Sequence, residues 1–381
     1  MLKVSERGMI PPFIVVDVMR AANERAAAGE DVIHLEVGQP STPAPRRVLE
    51  AAKRALDSQV LGYTDALGIP PLREKIAHYY GTRYDIEIDP GRIIVTTGSS
   101  GGFLLAFLSA FDVGDKVGLS TPSYPAYKNI LSALGLYAVD IPVGSCSNFQ
   151  PTPELLETYA SDLDGLIVAS PSNPTGSMID AARMKALVSW CSLNDVRLIS
   201  DEIYHGITYG TTAETALTFS QDAVVVNSFS KYFSMTGWRL GWMVVPENML
   251  RSVECLAQNL FISPPSLSQT AVLPVFDCFE ELDDNVAKYA ESRELLLNEL
   301  PRAGMGSLAP SDGAFYIYAD VSHLTDDSKA FCRRLLLETG VAITPGVDFD
   351  NARGQSFIRI CYAGSTNDIA RATLRLKEWL A

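Results

Sequence analysis

Residues 224–245 read Val-Val-Val-Asn-Ser-Phe-Ser-Lys-Tyr-Phe-Ser-Met-Thr-Gly-Trp-Arg-Leu-Gly-Trp-Met-Val-Val. A β-branched apolar run ends in Ser228-Phe-Ser-Lys231, and a second strand-like run opens after Gly237-Trp-Arg239. Turns between buried strands normally use Gly, Pro, Asn or Asp; this one carries a lysine flanked by two hydroxyls, with an arginine eight residues on. A lysine at a strand end can be desolvated, which lowers its pKa and frees its amine as a nucleophile. Ser228, Ser230 and Arg239 suit a phosphate, because arginine is a forked and permanently charged donor. A nucleophilic amine beside a phosphate site is what pyridoxal 5′-phosphate (PLP) chemistry requires. Taken alone, Ser-x-Lys reads first as a solvated turn lysine, so the flanking chain has to overturn that.

Outward from this stretch, short apolar runs alternate with helical spacing. Arg92–Thr97, Lys116–Ser120, Tyr137–Val143, Gly165–Ala169, Arg197–Ser200 and Ala223–Asn227 read as strands, with helices expected over Ser99–Phe111, Pro153–Tyr159 and Ala181–Asn194. Strands buried on both faces and alternating with helices imply an α/β fold with a mainly parallel sheet between helical layers. Ligands gather at the carboxyl ends of such strands, where Ser99, Tyr124, Asn173, Asp201 and Lys231 fall. Upstream, Ala21–Gly29 reads as a helix and Val32–Val37 as a strand ending at Gly38, where a glycine lets the backbone approach a ligand. After about residue 247 the pattern turns helical and then α+β, with strands expected at Gly313–Val321 and Phe357–Tyr362. The expected division is an N-terminal arm and part of a small domain (1–45), a large domain (46–277), and a small C-terminal domain (278–381).

The 381 residues exceed one ordinary core. A net charge of −14 argues against a nucleic-acid or anionic-lipid surface. The first residues lack the apolar core of a signal peptide, and no run approaches the length of a membrane span. Six scattered cysteines without a C-x-x-C pair, and four separated histidines, show no metal-ligand spacing. These features point to a cytoplasmic, metal-free enzyme.

Asn173-Pro-Thr-Gly, Asp201-Glu-Ile-Tyr204, Ser228-Phe-Ser-Lys231, Arg239 and Phe357-Ile-Arg359-Ile together resemble the class I/II aminotransferases, PLP enzymes of fold type I. The resemblance runs from Glu36-Val-Gly-Gln-Pro to the last of these motifs. It implies a seven-stranded large domain and transfer of an amino group between an L-amino acid and a 2-oxo acid. Lys231 would carry PLP as an aldimine and shuttle the proton; Asp201 would face the pyridine nitrogen; Tyr204 and Asn173 would hydrogen-bond the phenolic oxygen; Tyr124 would stack on the ring. Gly98, Ser99 and Ser100 at a helix start would cradle the phosphate with Ser228, Ser230 and Arg239. Gly38, Asn173 and Arg359 would take the substrate carboxylate, and Tyr63 would reach the partner's site in a homodimer.

No lysine or arginine stands in Asn259–Pro265 or Gly98–Phe103 to bind a second carboxylate, which tilts the donor toward neutral or aromatic amino acids. Phe13, Ile14, Tyr124 and Phe261 are candidate pocket walls. The same scaffold also carries cysteine-S-conjugate β-lyases and aminocyclopropane-carboxylate synthases; a β-lyase would release pyruvate and ammonia continuously without a 2-oxo acid. A ligand-sensing regulator built on the domain would need an added basic DNA-binding module.

Overall fold

The computed structural model describes residues 2–160 and 162–381. Met1, at the head of the expected arm, and Ser161 lie outside the described residues. The chain opens with α1 (Ile14–Ala27), β1 (Ile33–His34), α2 (Arg46–Ser58) and α3 (Pro70–Tyr84). The central sheet follows: β2 (Ile93–Thr96), β3 (Lys116–Thr121), β4 (Tyr137–Pro142), β5 (Gly165–Ala169), β6 (Arg197–Asp201), β7 (Val224–Ser228) and β8 (Gly241–Val244). Its order is β2-β8-β7-β6-β5-β3-β4, and only β8 runs against its neighbours. The helices between the strands are α4 (Gly98–Ala110), α5 (Pro125–Leu134), α6 (Pro153–Tyr159) and α7 (Ala181–Leu193).

Local chemistry sets these boundaries. Thr152 and Asp180 accept amides of the first turns of α6 and α7, the usual N-cap arrangement. Proline at the first position starts α5, and Gly135 at φ +82° ends it. Strands β2, β7 and β8 are buried throughout, as a sheet covered on both faces requires. Phe103, Leu105 and Phe107 of α4 pack on one face against Val226 and Met243, and the other face joins the larger core.

Beyond the sheet lie α8 (Leu250–Leu260), α9 (Ser266–Val272) and the long α10 (Phe279–Arg302). A second, four-stranded antiparallel sheet is then built from β9 (Ser307–Leu308), β10 (Tyr316–Asp320), β12 (Thr344–Pro345) and β13 (Phe357–Cys361). The short β11 (Val341–Ala342) pairs in parallel with β1, and α11 (Ser328–Thr339) and α12 (Thr366–Leu380) complete the chain. Among the described residues no helix is long and apolar enough to cross a membrane.

Two expectations need correction. The first helix begins at Ile14 rather than Ala21, because its first amides are capped by a carboxylate from the far end of the chain (Asp348). The expected strand Val32–Val37 shrinks to two residues, since only Ile33 and His34 find ladder partners, in β11.

Candidate active site

Register aligns Ala169, Asp201 and Val226 side by side, so the loops after β5, β6 and β7 deliver their side chains to one place. A cavity of about 300 Å³ opens there. From the central sheet it is lined by Ser99, Ser100, Tyr124, Asn173, Asp201, Tyr204, Ser230, Lys231 and Arg239, and from the other side by Gly38, Tyr316 and Arg359.

Lys231 lies half-buried, and its Nζ donates to the Gly38 carbonyl at 2.6 Å. Loss of hydration pushes the amine down to about 8, with the Arg359 and Arg239 cations adding to the effect. Asp201, at the end of β6, is buried; it accepts the Tyr127 hydroxyl and the Ile203 amide (3.1 Å). Burial raises its carboxyl to about 6. The Tyr204 and Tyr316 hydroxyls lie 2.7 Å apart, and burial holds the Tyr204 phenol well above its ordinary value. Arg359 is 3% exposed. Its Nη1 donates to Asn173 Oδ1 (2.8 Å), and Nη2 to the Glu36 carbonyl and the Thr344 hydroxyl. The guanidinium carbon lies 4.4 Å from the Tyr316 ring and 4.7 Å from the Phe349 ring. Its Nε is buried without a partner.

At the other end of the cavity, α4 begins without a side-chain cap, so its first amides stay available to an anion. Gly98 adopts φ +69°, and a Cβ there would lie 2.4 Å from Arg239 Nη2; glycine is what admits the guanidinium beside the helix start. Arg239 itself is exposed, its Nη1 donating to the Thr236 carbonyl at 3.0 Å.

Three expected residues sit differently from the rest. Ser228 does not line the cavity: its hydroxyl lies 2.9 Å from Ser230 Oγ and 3.2 Å from the Leu240 carbonyl, and it accepts the Ser230 amide. It orders Ser230 from behind. Gly98 shapes the cradle without lining it, and Tyr63 is 84% exposed, outside the cavity of its own chain. Of the expected walls, Phe13 and Tyr124 meet edge to face at 5.6 Å. Ile14 instead lines an adjoining cavity, and Phe261 lies behind Gly101. The wall beside Phe13 is made by Val15, Val16 and Met19 of α1.

Sequence reasoning also passed over Tyr127 and Tyr316. Tyr127 stands three residues after Tyr124 across a helix start, a spacing that places both on one face. Tyr316 precedes Tyr318, the cross-strand partner of Arg359, so β10 was the place to search for the arginine's platform.

An uncapped helix start with Ser99, Ser100, Ser230 and Arg239 fits a phosphate; a desolvated amine and a buried carboxylate stand beyond it; and an arginine with an unpaired Nε fits a carboxylate. This donor set fits PLP together with an amino acid. The family pattern described as aminotransferase class I and II matches residues 30–376. The chain belongs to this family. A valine–pyruvate aminotransferase of Mycobacterium tuberculosis is 52% identical over 99% of this chain and 98% of that protein. A solved aminotransferase structure from the same organism superposes with a TM-score of 0.98 at 52% identity, covering 100% of this chain and 99% of the other. The aspartate aminotransferase of Thermus thermophilus with maleate matches with a TM-score of 0.93 at 30% identity, over 99% and 100%. As a class I/II aminotransferase, the chain is a PLP-dependent enzyme that moves an amino group between an amino acid and a 2-oxo acid.

Proposed function

We propose that this aminotransferase works on small neutral amino acids and a 2-oxo acid of pyruvate size. One observation carries the reading: the cavity's side-chain wall is apolar (Phe13, Val15, Val16, Met19), and its basic lining residues are Lys231, Arg239 and Arg359. Lys231 has the cofactor and Arg359 the α-carboxylate to serve, and Arg239 lies at the phosphate end, so none remains for a second carboxylate. The 52%-identical relative named for valine and pyruvate agrees with this.

PLP, when bound, supplies the electron sink that makes the substrate α-carbon acidic. Lys231 Nζ would hold the cofactor and, once freed by the substrate, would take the proton from the α-carbon and carry it across to the cofactor side. Its lowered pKa raises the share of free amine close to neutral pH. Asp201 would hold the ring nitrogen's proton, with Tyr127 fixing the carboxyl's direction. Asn173 and Tyr204 would hydrogen-bond the phenolic oxygen, and Tyr124 would cover the ring. Gly98, Ser99, Ser100, Ser230 and Arg239 would take the phosphate, with Ser228 in support. Arg359, Asn173 and Gly38 would orient the substrate carboxylate.

Arg359 lies in the 278–381 segment and Gly38 in the 1–45 arm, and this division supports a small domain that closes on the large one (46–277) and excludes water. The exposed Tyr63 and the still more exposed Val60 three residues before it suit a homodimer in which Tyr63 completes the partner's phosphate site. The six free cysteines agree with a reducing cytoplasm. A donor panel of valine, alanine, 2-aminobutyrate, phenylalanine, aspartate and glutamate against pyruvate and 2-oxoglutarate tests the substrate reading. Neutral aliphatic donors should exceed aspartate in kcat/KM by about tenfold or more; a preference for aspartate overturns it.

A further inference from the structure

We infer that Asp348 is a specificity-positioning residue: it fixes the amino end of α1 over the substrate and couples that wall to Arg359 through Phe349. The inference rests on the neutral-donor reading above. Helix α1 has no cap of its own, since Phe13 precedes it with no side-chain acceptor. Its first amides are bound by a carboxylate 334 and 333 residues away. Ile14 N donates to Asp348 Oδ1 at 3.0 Å, and Val15 N donates to Oδ2 at 3.1 Å. Both oxygens are engaged, and the negative charge complements the positive end of the helix. Asp348 is itself buried, at 8% exposure.

The next residue reaches two further walls. The Phe349 ring lies 4.7 Å from the Arg359 guanidinium carbon, and its carbonyl accepts the Ser123 amide at 3.1 Å, beside Tyr124. Two consecutive residues therefore tie together the side-chain wall, the carboxylate-binding arginine and the ring-covering tyrosine. The turn that carries them has little slack. A Cβ on Gly346 would meet the Phe357 carbonyl at 2.5 Å and the Gly354 carbonyl at 2.6 Å. Asp350 accepts the amides of Ala352 and Arg353 at 2.9 Å each, and Arg353 donates to the Val143 carbonyl at 3.0 Å. Val15, Val16 and Met19 lie within the first two turns after the cap, so fixing the cap fixes the depth of the pocket.

The test uses the PLP-loaded enzyme and the variants Asp348→Ala and Asp348→Asn, with two measurements. The first is the ratio of kcat/KM for valine over alanine; the second is hydrogen exchange at the Ile14–Val16 amides. One methylene in an apolar pocket is worth about tenfold, so Asp348→Ala should lower the ratio by about that factor and speed the exchange. Asp348→Asn keeps one carbonyl acceptor and should fall between; if the alanine variant does not fold, the asparagine variant carries the comparison. An unchanged ratio overturns the inference, whether or not exchange quickens, as does an equal loss for every donor. A wild type that prefers aspartate overturns the donor reading instead, and the inference then stands or falls on the aspartate-to-alanine ratio in the same variants.

Discussion

Replacing Gly38 by alanine should damage the site through Tyr316. The added methyl would lie 1.8 Å from the Tyr316 hydroxyl oxygen and 2.8 Å from its Cζ. To reach even 3.0 Å the hydroxyl must retreat by roughly 1.2 Å. Tyr316 has little room to do so: it is 1% exposed, packed 5.1 Å from the Phe315 ring and 4.4 Å from the Arg359 guanidinium carbon. Overpacking of this kind costs about 1–3 kcal/mol, and breaking the Tyr204–Tyr316 hydrogen bond adds about 1 kcal/mol. At roughly 2.1 cal/mol/K of unfolding entropy per residue, the 381 residues convert that loss into a fall in Tm of about 2–5 °C. Displacing Tyr316 shifts the platform of Arg359, and a misplacement near 1 Å costs on the order of 10²-fold in rate. Scanning calorimetry and kcat/KM on the PLP-loaded enzyme check both figures. Adding Tyr316→Phe removes the closest contact but leaves Cζ at 2.8 Å, so the double variant should recover only part of the Tm. A Gly38→Ala enzyme with wild-type Tm and kcat/KM would refute the reasoning.

Arg359→Lys replaces a forked donor with a point charge; KM should rise about 10–100-fold for donor and acceptor alike, with kcat less affected, because both substrates carry the carboxylate. In cofactor-free protein, labelling of Lys231 by an amine-reactive reagent should rise with pH through about 8 instead of 10.5, because only the neutral amine reacts. A labelling midpoint near 10 would show that the amine is not desolvated. Glu202 is buried: Oε1 accepts from Ser200, Thr215 and Ala216, while Oε2 makes no hydrogen bond and lies 3.6 Å from His205 Nδ1. Burial raises this carboxyl from 4.5 to about 8. A raised carboxyl pKa contributes stability at low pH that is lost as pH climbs to the folded value. Glu202→Gln should therefore abolish part of the decline in urea midpoint between pH 5 and about 8, and parallel wild-type and variant profiles would contradict it.

Much of the fold could be read from local pattern because the central strands are buried on both faces. Apolar runs such as Gly165–Ala169 and Val224–Ser228 are bounded by polar residues that are themselves the site, so strand ends and candidate residues appeared together. The start of α1 was illegible because its cap, Asp348, comes from a turn more than 300 residues away. Strand β1 was overdrawn since ladder pairing depends on a partner, β11, that no local window contains. No local pattern marked Tyr316 and Tyr127, because their partners, Tyr204 and Asp201, lie far off in sequence. Ser228 has the residue type of a phosphate ligand, yet the turn bends its hydroxyl back onto Ser230. Side-chain type marked the site; direction required the fold.

The central claim is that the half-buried amine of Lys231 is both anchor and proton carrier. Borohydride reduction of the PLP-loaded enzyme followed by peptide mapping tests it most directly. The cofactor should be fixed on Lys231 alone, and Lys231→Ala should take no covalent label and lose turnover while still binding PLP through Ser99, Ser100, Ser230 and Arg239. A label on another lysine, or near-normal transamination by Lys231→Ala, would contradict the account.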